Sequence, residues 1–296
     1  MRILSLFANI GVAEARLHEV DGVDVVVANE LLQRRATLYQ RIYPNSSMIC
    51  GNILDTKVYD SIIKTSRERH VDVIMATPPC QGISTAGQQI EGDERNSLTI
   101  PALHSIQDLE PKYAVLENVP GYLKTTIDYN GQLCLIPDII SDTLGDKYEI
   151  SFNVIDTADY GVPQVRERAI VLLSRKDQPV WKLPSKSNRI VTMRDAIGNL
   201  PMIDPFIKDL DPTEFQRMFP KYEERRRDAL AISPWNIPPV HVYRQVVAML
   251  HTPTGCTAFD NEVYKPIKEN GEYVKGYHNT YKRQNWDTPA YTVTMD

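Results

Sequence analysis

Residues 4–15 read LSLFANIGVAEA. Residues 3–7 form a short apolar run, which predicts a first β-strand buried on both faces. A tight loop holding Gly11 follows, and residues 13–19 have the composition of a helix. Doubly wound α/β sheets bind nucleotides at such a strand–loop–helix turn, because loop amides and a helix N-terminus face the ligand there. An ordinary strand–helix turn would look the same, so the stretch decides the fold class before it decides the ligand.

Outward from this turn the pattern repeats. Residues 23–28 (VDVVVA) form a β-branched run, and residues 31–43 are helical in character. Residues 72–76 (DVIMA) and 113–117 (YAVLE) read as further strands, each preceded by a helical stretch. Strands alternating with helices predict a parallel, doubly wound sheet. Residues 152–155 and 168–173 are expected to extend it. After Ser174 the character changes: nine prolines fall between Pro179 and Pro239, and periodicity is weak except over residues 243–250. The expected division is a nucleotide-binding domain over residues 1–174, a smaller irregular domain over 175–283, and a return segment over 284–296.

Bulk properties bound what such a chain can do. With 296 residues, 42 % hydrophobic and 24 % charged, it is long enough for a large domain and a small one. No apolar run is long enough for a bilayer, and the N-terminus reads as a strand and not as a signal peptide. The expectation is a cytoplasmic protein without a membrane partner. The four cysteines form no C-x-x-C pair and have no histidine cluster near them, so no metal is expected. Net charge is −5, which speaks mildly against nucleic acid. The acids lie early, however: residues 1–150 carry 13 Lys+Arg against 20 Asp+Glu, and the remainder 20 against 18. A phosphate-facing surface is therefore more at home in the second half.

Four motifs carry chemistry. The second strand runs into Ala28-Asn29-Glu30, where an acid can accept hydrogen bonds from both ribose hydroxyls. TPPCQGIS (residues 77–84) follows the strand DVIMA; two prolines fix the backbone before Cys80 and present it on a rigid turn at a strand end. A structural cysteine needs no such mounting. LENVPGY (116–122) puts Glu117 at another strand end, where an acid kept protonated by an apolar setting can donate to a ring nitrogen. In YGVPQVRERAIVL (160–172), Arg166 and Arg168 alternate, so on one strand both would point to one face and suit a phosphate or a base oxygen. Alone, each motif has a plain structural reading: a helix-capping acid for Glu30 or Glu117, a solvated salt-bridge strand for the arginines.

Together, in the order FANIG, NE, GNI, PPCQ, ENV, QVRER and finally RQNWDTPAYTVT, these residues resemble the cytosine-5 DNA methyltransferase family over the whole chain. The resemblance implies a Rossmann-like, S-adenosylmethionine-dependent methyltransferase fold with a smaller target-recognition domain. It implies S-adenosyl-L-methionine as methyl donor, released as S-adenosyl-L-homocysteine, and a cytosine flipped out of double-stranded DNA as substrate, in the setting of restriction–modification. It makes Cys80 the nucleophile, with Glu117, Arg166 and Arg168 catalytic beside it. Phe7, Ala8, Asn9, Ile10, Gly11, Glu30, Leu31, Asn52, Ile53, Pro79 and Leu98 fall to the cofactor, and Gln81, Ser84, Arg166 and Arg168 to DNA. Residues 81–95, polar and spaced by glycines, match a loop that closes over the flipped base. The chain departs from the family at Asn9 and Val12, where glycine is usual, at Leu31, where an aromatic residue is, and at Asn52, where an aspartate is. It stops at Asp296, inside the T-V-T segment, which implies a second polypeptide or onward chain closing the cofactor pocket. Two rival readings stand beside this one. A tRNA cytosine-5 methyltransferase would share the motifs but carry a C-F-T tripeptide that is absent here; a subunit inactive without a partner would keep the fold.

Overall fold

The computed structural model describes residues 1–79, 97–263, 267–268, 270–273 and 282–293. The chain divides into two compact units. One comprises Met1–Asp156 with Glu167–Ser185, the other Thr157–Arg166 with Lys186–Asp296.

The first unit is built on strands β1 (Arg2–Leu6), β2 (Asp24–Glu30), β3 (Ser47–Cys50), β4 (Val73–Ala76), β5 (Tyr113–Asn118), β8 (Tyr148–Asp156) and β9 (Glu167–Arg175), in the spatial order β3-β2-β1-β4-β5-β9-β8. β1 pairs in parallel with β2 on one side and β4 on the other, so the strand order reverses at β1. In such sheets a crevice opens at that switch point, beyond the carboxyl ends of the strands. The connections are α1 (Gln33–Ile42), α2 (Thr56–Glu68), α3 (Thr99–Leu109) and α4 (Ile136–Leu144). A hairpin, β6 (Thr126–Tyr129) with β7 (Gln132–Leu135), precedes α4.

Alternation along β1 builds two cores. Leu4 and Leu6 enter the main one with Ile62 of α2, Leu103 and Ile106 of α3, and Ile139 and Ile140 of α4. Each such fully buried side chain contributes about 1.5–3 kcal/mol. Ile3 faces the other way, against Val73, Tyr113 and Trp181, and the last two rings stack at 4.1 Å. Asp55 caps α2 by accepting from the backbone amides of Lys57 and Val58, which fixes that helix directly after the loop that follows β3.

Three expectations change. The sheet is mixed: β9 runs antiparallel to both β5 and β8. β8 reaches its place by a helical crossover through α4 and leaves a gap beside β5. Only ten residues join β8 to β9, and so short a connection returns the chain antiparallel. No α-helix forms over residues 13–19, only a 3-10 turn at Leu17–Glu19, because Arg16 adopts a left-handed backbone (φ 74°) and Glu14 turns inward. Arg166 precedes β9, so the expected alternation puts only Arg168 on the strand.

The second unit is more regular than its prolines suggest. α5 (Met193–Ile197) is a short capped helix, and α6 (Pro212–Met218), α7 (Tyr222–Ile232) and α8 (Tyr243–His251) contribute to a small core of Ile207, Phe219, Tyr222 and Val246. β10 (Phe206–Ile207) pairs with β11 (Val240–His241). The buried carboxylate of Asp204 meets Arg225 at 2.6 Å. The late segment closes this unit: Val165 donates to the carbonyl of Ala290 at 2.8 Å, Ala290 to that of Pro163 at 2.9 Å, and Arg194 pairs with Asp287 at 2.8 Å.

Candidate active site

The carboxyl ends of β1, β2, β4 and β5 bring four motifs to one edge of the first unit's sheet. The loop after β1 is strained: Phe7 and Asn9 have φ of 60° and 51°, and Gly11 has 84°. Non-glycine residues pay of order 1–2 kcal/mol in that region, and such conformations cluster at functional sites. Hydrogen bonds hold the loop there. Ala8 donates to the carbonyl of Asn29 and Gly11 to that of Ala8, both at 2.9 Å. The hydroxyl of Thr77 donates to the carbonyl of Phe7 at 3.3 Å, tying the β4 end to the β1 end.

Glu30, at the end of β2, is buried. Its Oε2 accepts the backbone amide of Asn9 at 2.9 Å and its Oε1 that of Leu32 at 3.0 Å. A carboxylate offers about four lone-pair sites, so roughly two remain for a ligand. Beside it, Leu31 and Leu54 stand exposed at the ends of β2 and β3, and Val12 is exposed beyond Gly11. Ile53 is buried, and Asn52 spends its Oδ1 on the amide of Leu54 at 3.0 Å. Ile53, Leu54, Ile100, Pro101 and His104 line a cleft of about 380 Å³. Leu98 packs on the main core at the start of α3. A buried acceptor with capacity left, flanked by uncovered apolar side chains, is a donor set suited to a nucleoside: the carboxylate for a ribose diol, the apolar groups for a ring. The adenosyl part of S-adenosylmethionine fits that description.

At the end of β5, Glu117 is not in the apolar setting expected of it. Arg168 Nε lies 2.8 Å from Glu117 Oε1, and the Glu117 side chain is 34 % exposed. The antiparallel course of β9 causes this: Asn118 pairs with Ala169, so Arg168 arrives beside the last residues of β5. The next residue, Asn118, is buried and donates from Nδ2 to the carbonyl of Pro78 at 3.1 Å, while its Oδ1 accepts the amide of Val119 at 2.8 Å. Pro78 and Pro79 lead into Cys80, so Asn118 fixes the approach to that residue. Cys80, Gln81, Ser84 and the loop 81–95 lie outside the described residues. Arg166 is partly buried in the second unit, where its carbonyl accepts the amide of Thr157 at 3.1 Å.

Sequence reasoning missed Asn118, Tyr43 and Glu14. Asn118 stood inside the quoted ENV motif as a buried-strand terminus with a polar side chain next to Glu117, a signal that could have found it. Tyr43 donates its hydroxyl to the carbonyl of Gly11 at 2.6 Å, and a Cβ added to Gly11 would sit 2.1 Å from Tyr43 Cε2. No local pattern announces a pairing over 32 residues. Among the described residues no group of three or more His, Cys, Asp or Glu could hold a metal ion, and no helix is long and apolar enough to cross a membrane.

The family described as C-5 cytosine-specific DNA methylase matches residues 1–296. The chain is 41 % identical to Type II methyltransferase M1.HgaI of Avibacterium volantium, over 99 % of this chain and 76 % of that one. It is 29 % identical to Type II methyltransferase M.XorII of Xanthomonas oryzae pv. oryzae over 69 % of this chain, and spans about half of that relative's length, 47 %. In three dimensions it is similar to a prophage-encoded E. coli protein assigned as a DNA modification methyltransferase. The TM-score is 0.58 at 20 % identity, over 92 % of this chain and 81 % of that one, a likeness of fold.

Proposed function

The chain belongs to the C-5 cytosine-specific DNA methylase family, and from that premise we propose that it methylates carbon 5 of cytosine within a specific duplex DNA sequence, using S-adenosylmethionine and covalent catalysis by Cys80. The observation that carries this reading is the shared edge: Glu30, Glu117 and the Pro78–Pro79 turn into Cys80 all stand at carboxyl ends of parallel strands flanking the switch point.

Glu30, Leu31, Asn52, Ile53 and the loop from Phe7 to Gly11 hold the cofactor, with Pro79 and Leu98 completing its surroundings. When bound, S-adenosylmethionine supplies an electrophilic methyl group. Carbon 5 of cytosine is a poor nucleophile. Addition of the Cys80 thiolate at carbon 6 breaks the ring's conjugation and moves electron density to carbon 5. Glu117 in its protonated form donates to ring nitrogen 3, and that proton offsets the negative charge that thiolate addition places on the ring, while the Arg168 guanidinium balances the carboxylate left behind. Once carbon 5 carries the methyl group, loss of its proton to water restores the ring's conjugation and expels the Cys80 thiolate. The stacked duplex hides these atoms, so the base is flipped out, and Gln81, Ser84, Arg166 and Arg168 contact it or its phosphates. Residues 175–283 read the sequence around it. The Type II methyltransferases among its relatives favour a role as the protecting partner in restriction–modification.

The decisive experiment uses a duplex carrying 5-fluorocytosine at the target site. With S-adenosylmethionine present, the wild-type chain should form a denaturant-resistant adduct with it, since after methyl transfer fluorine cannot leave as a proton does, and Cys80→Ser should form none. An adduct that survives in Cys80→Ser removes Cys80 as nucleophile. Tritiated methyl transfer to tRNA but not to duplex DNA overturns the substrate assignment.

A further inference from the structure

Glu14 lies three residues beyond Gly11 and is among the most deeply buried charged residues described, at 1 % exposure. Its Oε1 accepts the hydroxyl of Tyr39 at 3.4 Å. Its Oε2 has no hydrogen-bond partner of good geometry among the described residues, although the Ser5 hydroxyl stands beside the carboxyl. The groups that face it come from each element packed around it: Ser5 from β1, Tyr39 from α1, and Tyr43 just past the end of α1. No Lys or Arg among them balances a charge, and a buried lone carboxylate is costly. Burial accordingly pushes Glu14 above its ordinary value, opposed by the Ser5 hydroxyl, its own backbone amide and the Tyr39 hydroxyl. Burial likewise raises Tyr39 and Tyr43, which keeps both phenols protonated as donors.

This cluster touches the strained loop. The Tyr39 and Tyr43 rings stand 4.8 Å apart, and Tyr43 hydrogen-bonds the Gly11 carbonyl. We infer that Glu14 is a positioning residue whose buried carboxyl seats the loop from Phe7 to Gly11 on the two tyrosines, so that a charge placed there weakens binding of S-adenosylmethionine. The inference rests on reading that loop as the cofactor loop. An ionised Glu14 has two outlets, toward water or toward the phenol hydroxyls, and either one pulls residues 11–14 away from the Gly11–Tyr43 contact.

The test is calorimetric titration of the full chain with S-adenosylmethionine from about pH 5 to about pH 8.5. Wild-type affinity should fall as pH rises, by up to about tenfold per pH unit once Glu14 ionises, because only the neutral fraction is competent. Glu14→Gln, neutral at every pH, should bind throughout with the wild type's low-pH affinity. Tyr39→Phe removes a donor to the carboxylate and should move the fall to higher pH, which keeps the test alive if the amide does not fold. An infrared difference spectrum between wild type and Glu14→Gln, taken without cofactor, should contain a protonated-carboxyl band. Flat binding in the wild type, or no such band, overturns the inference and leaves the cofactor reading standing. No binding at any pH overturns the cofactor reading and the inference with it.

Discussion

Arg168 Nε sits 2.8 Å from Glu117 Oε1, and this contact exists because β9 enters the sheet antiparallel to β5. The guanidinium fixes the carboxylate's rotamer and compensates its charge. On the proposed mechanism it acts on the substrate ring through Glu117 as well as directly. Removing it takes away one of the restraints on the Glu117 carboxylate.

Arg168→Ala should accordingly lower single-turnover methyl transfer by about 10²-fold, the scale of losing one preorganised electrostatic contact. S-adenosylmethionine affinity should stay within about twofold, since Arg168 is remote from Glu30 along the strand order. Arg168→Lys keeps the charge and loses the planar donor set, so it should recover only part of the rate. Equal rates for wild type and Arg168→Ala would show that the pair has no part in the chemistry.

Asn118→Ala removes the donor to the Pro78 carbonyl and the acceptor for Val119. Both groups are then left without their partner in a buried setting, a loss of about 1–3 kcal/mol. Urea denaturation should register it as a lower midpoint with an unchanged slope. The rate of adduct formation with a 5-fluorocytosine duplex should fall further than stability alone explains, because the turn into Cys80 loosens. Asn118→Asp keeps the acceptor but not the donor and should behave more like alanine than like wild type.

Much of this architecture is legible in the sequence where one residue's neighbours decide it. β2 and β4 are written in β-branched and apolar runs, and Glu30 falls at the end of the first of these. What stays hidden is decided over distance. The antiparallel insertion of β9 depends on the gap between β5 and β8, so the Arg168–Glu117 pair has no local signature. Residues 13–19 carry good helix formers, yet Glu14 turns into the core and Arg16 goes left-handed, so tertiary packing overrides propensity. In the second unit the prolines mislead: Pro212 opens α6 at its first turn, where a missing amide costs nothing, and does not break a helix.

Glu30→Ala should abolish measurable S-adenosylmethionine binding by calorimetry. Two charge-assisted hydrogen bonds to a ribose are worth about 1.5–3 kcal/mol each. The structure adds a second loss, since Glu30 also accepts the amides of Asn9 and Leu32. Glu30→Gln keeps one acceptor and should bind weakly but detectably. Unchanged affinity in Glu30→Ala would exclude this edge as the ribose site.

Replacing residues 175–283 by the matching segment of a relative with a different specificity should move the methylated sequence and leave the Cys80 chemistry alone. Bisulfite sequencing of a methylated plasmid reads the outcome. If the original site persists, sequence reading belongs elsewhere in the chain.

Gly11 ties the loop's backbone to its packing, and the two can be separated. At φ 84° an L-residue is strained by roughly 1–2 kcal/mol. Its Cβ would also stand 2.1 Å from Tyr43 Cε2, a clash that the ring relieves only by moving, at a cost of about 1–3 kcal/mol. Gly11→Ala should therefore destabilise the chain by about 2–5 kcal/mol. Tyr43→Ala by itself loses the hydroxyl's bond to the Gly11 carbonyl and the ring's contact with Tyr39. In the double variant the Tyr43 clash is gone, leaving the backbone strain and a tight contact with Tyr39 Cε2 at 3.0 Å, so the two losses should not add: the combined destabilisation should fall short of their sum by about 1–3 kcal/mol, the Tyr43 clash term. Urea denaturation of all four proteins measures that difference. Strict additivity would mean that Tyr43 does not press on Gly11, and that the glycine is there for its backbone angle alone.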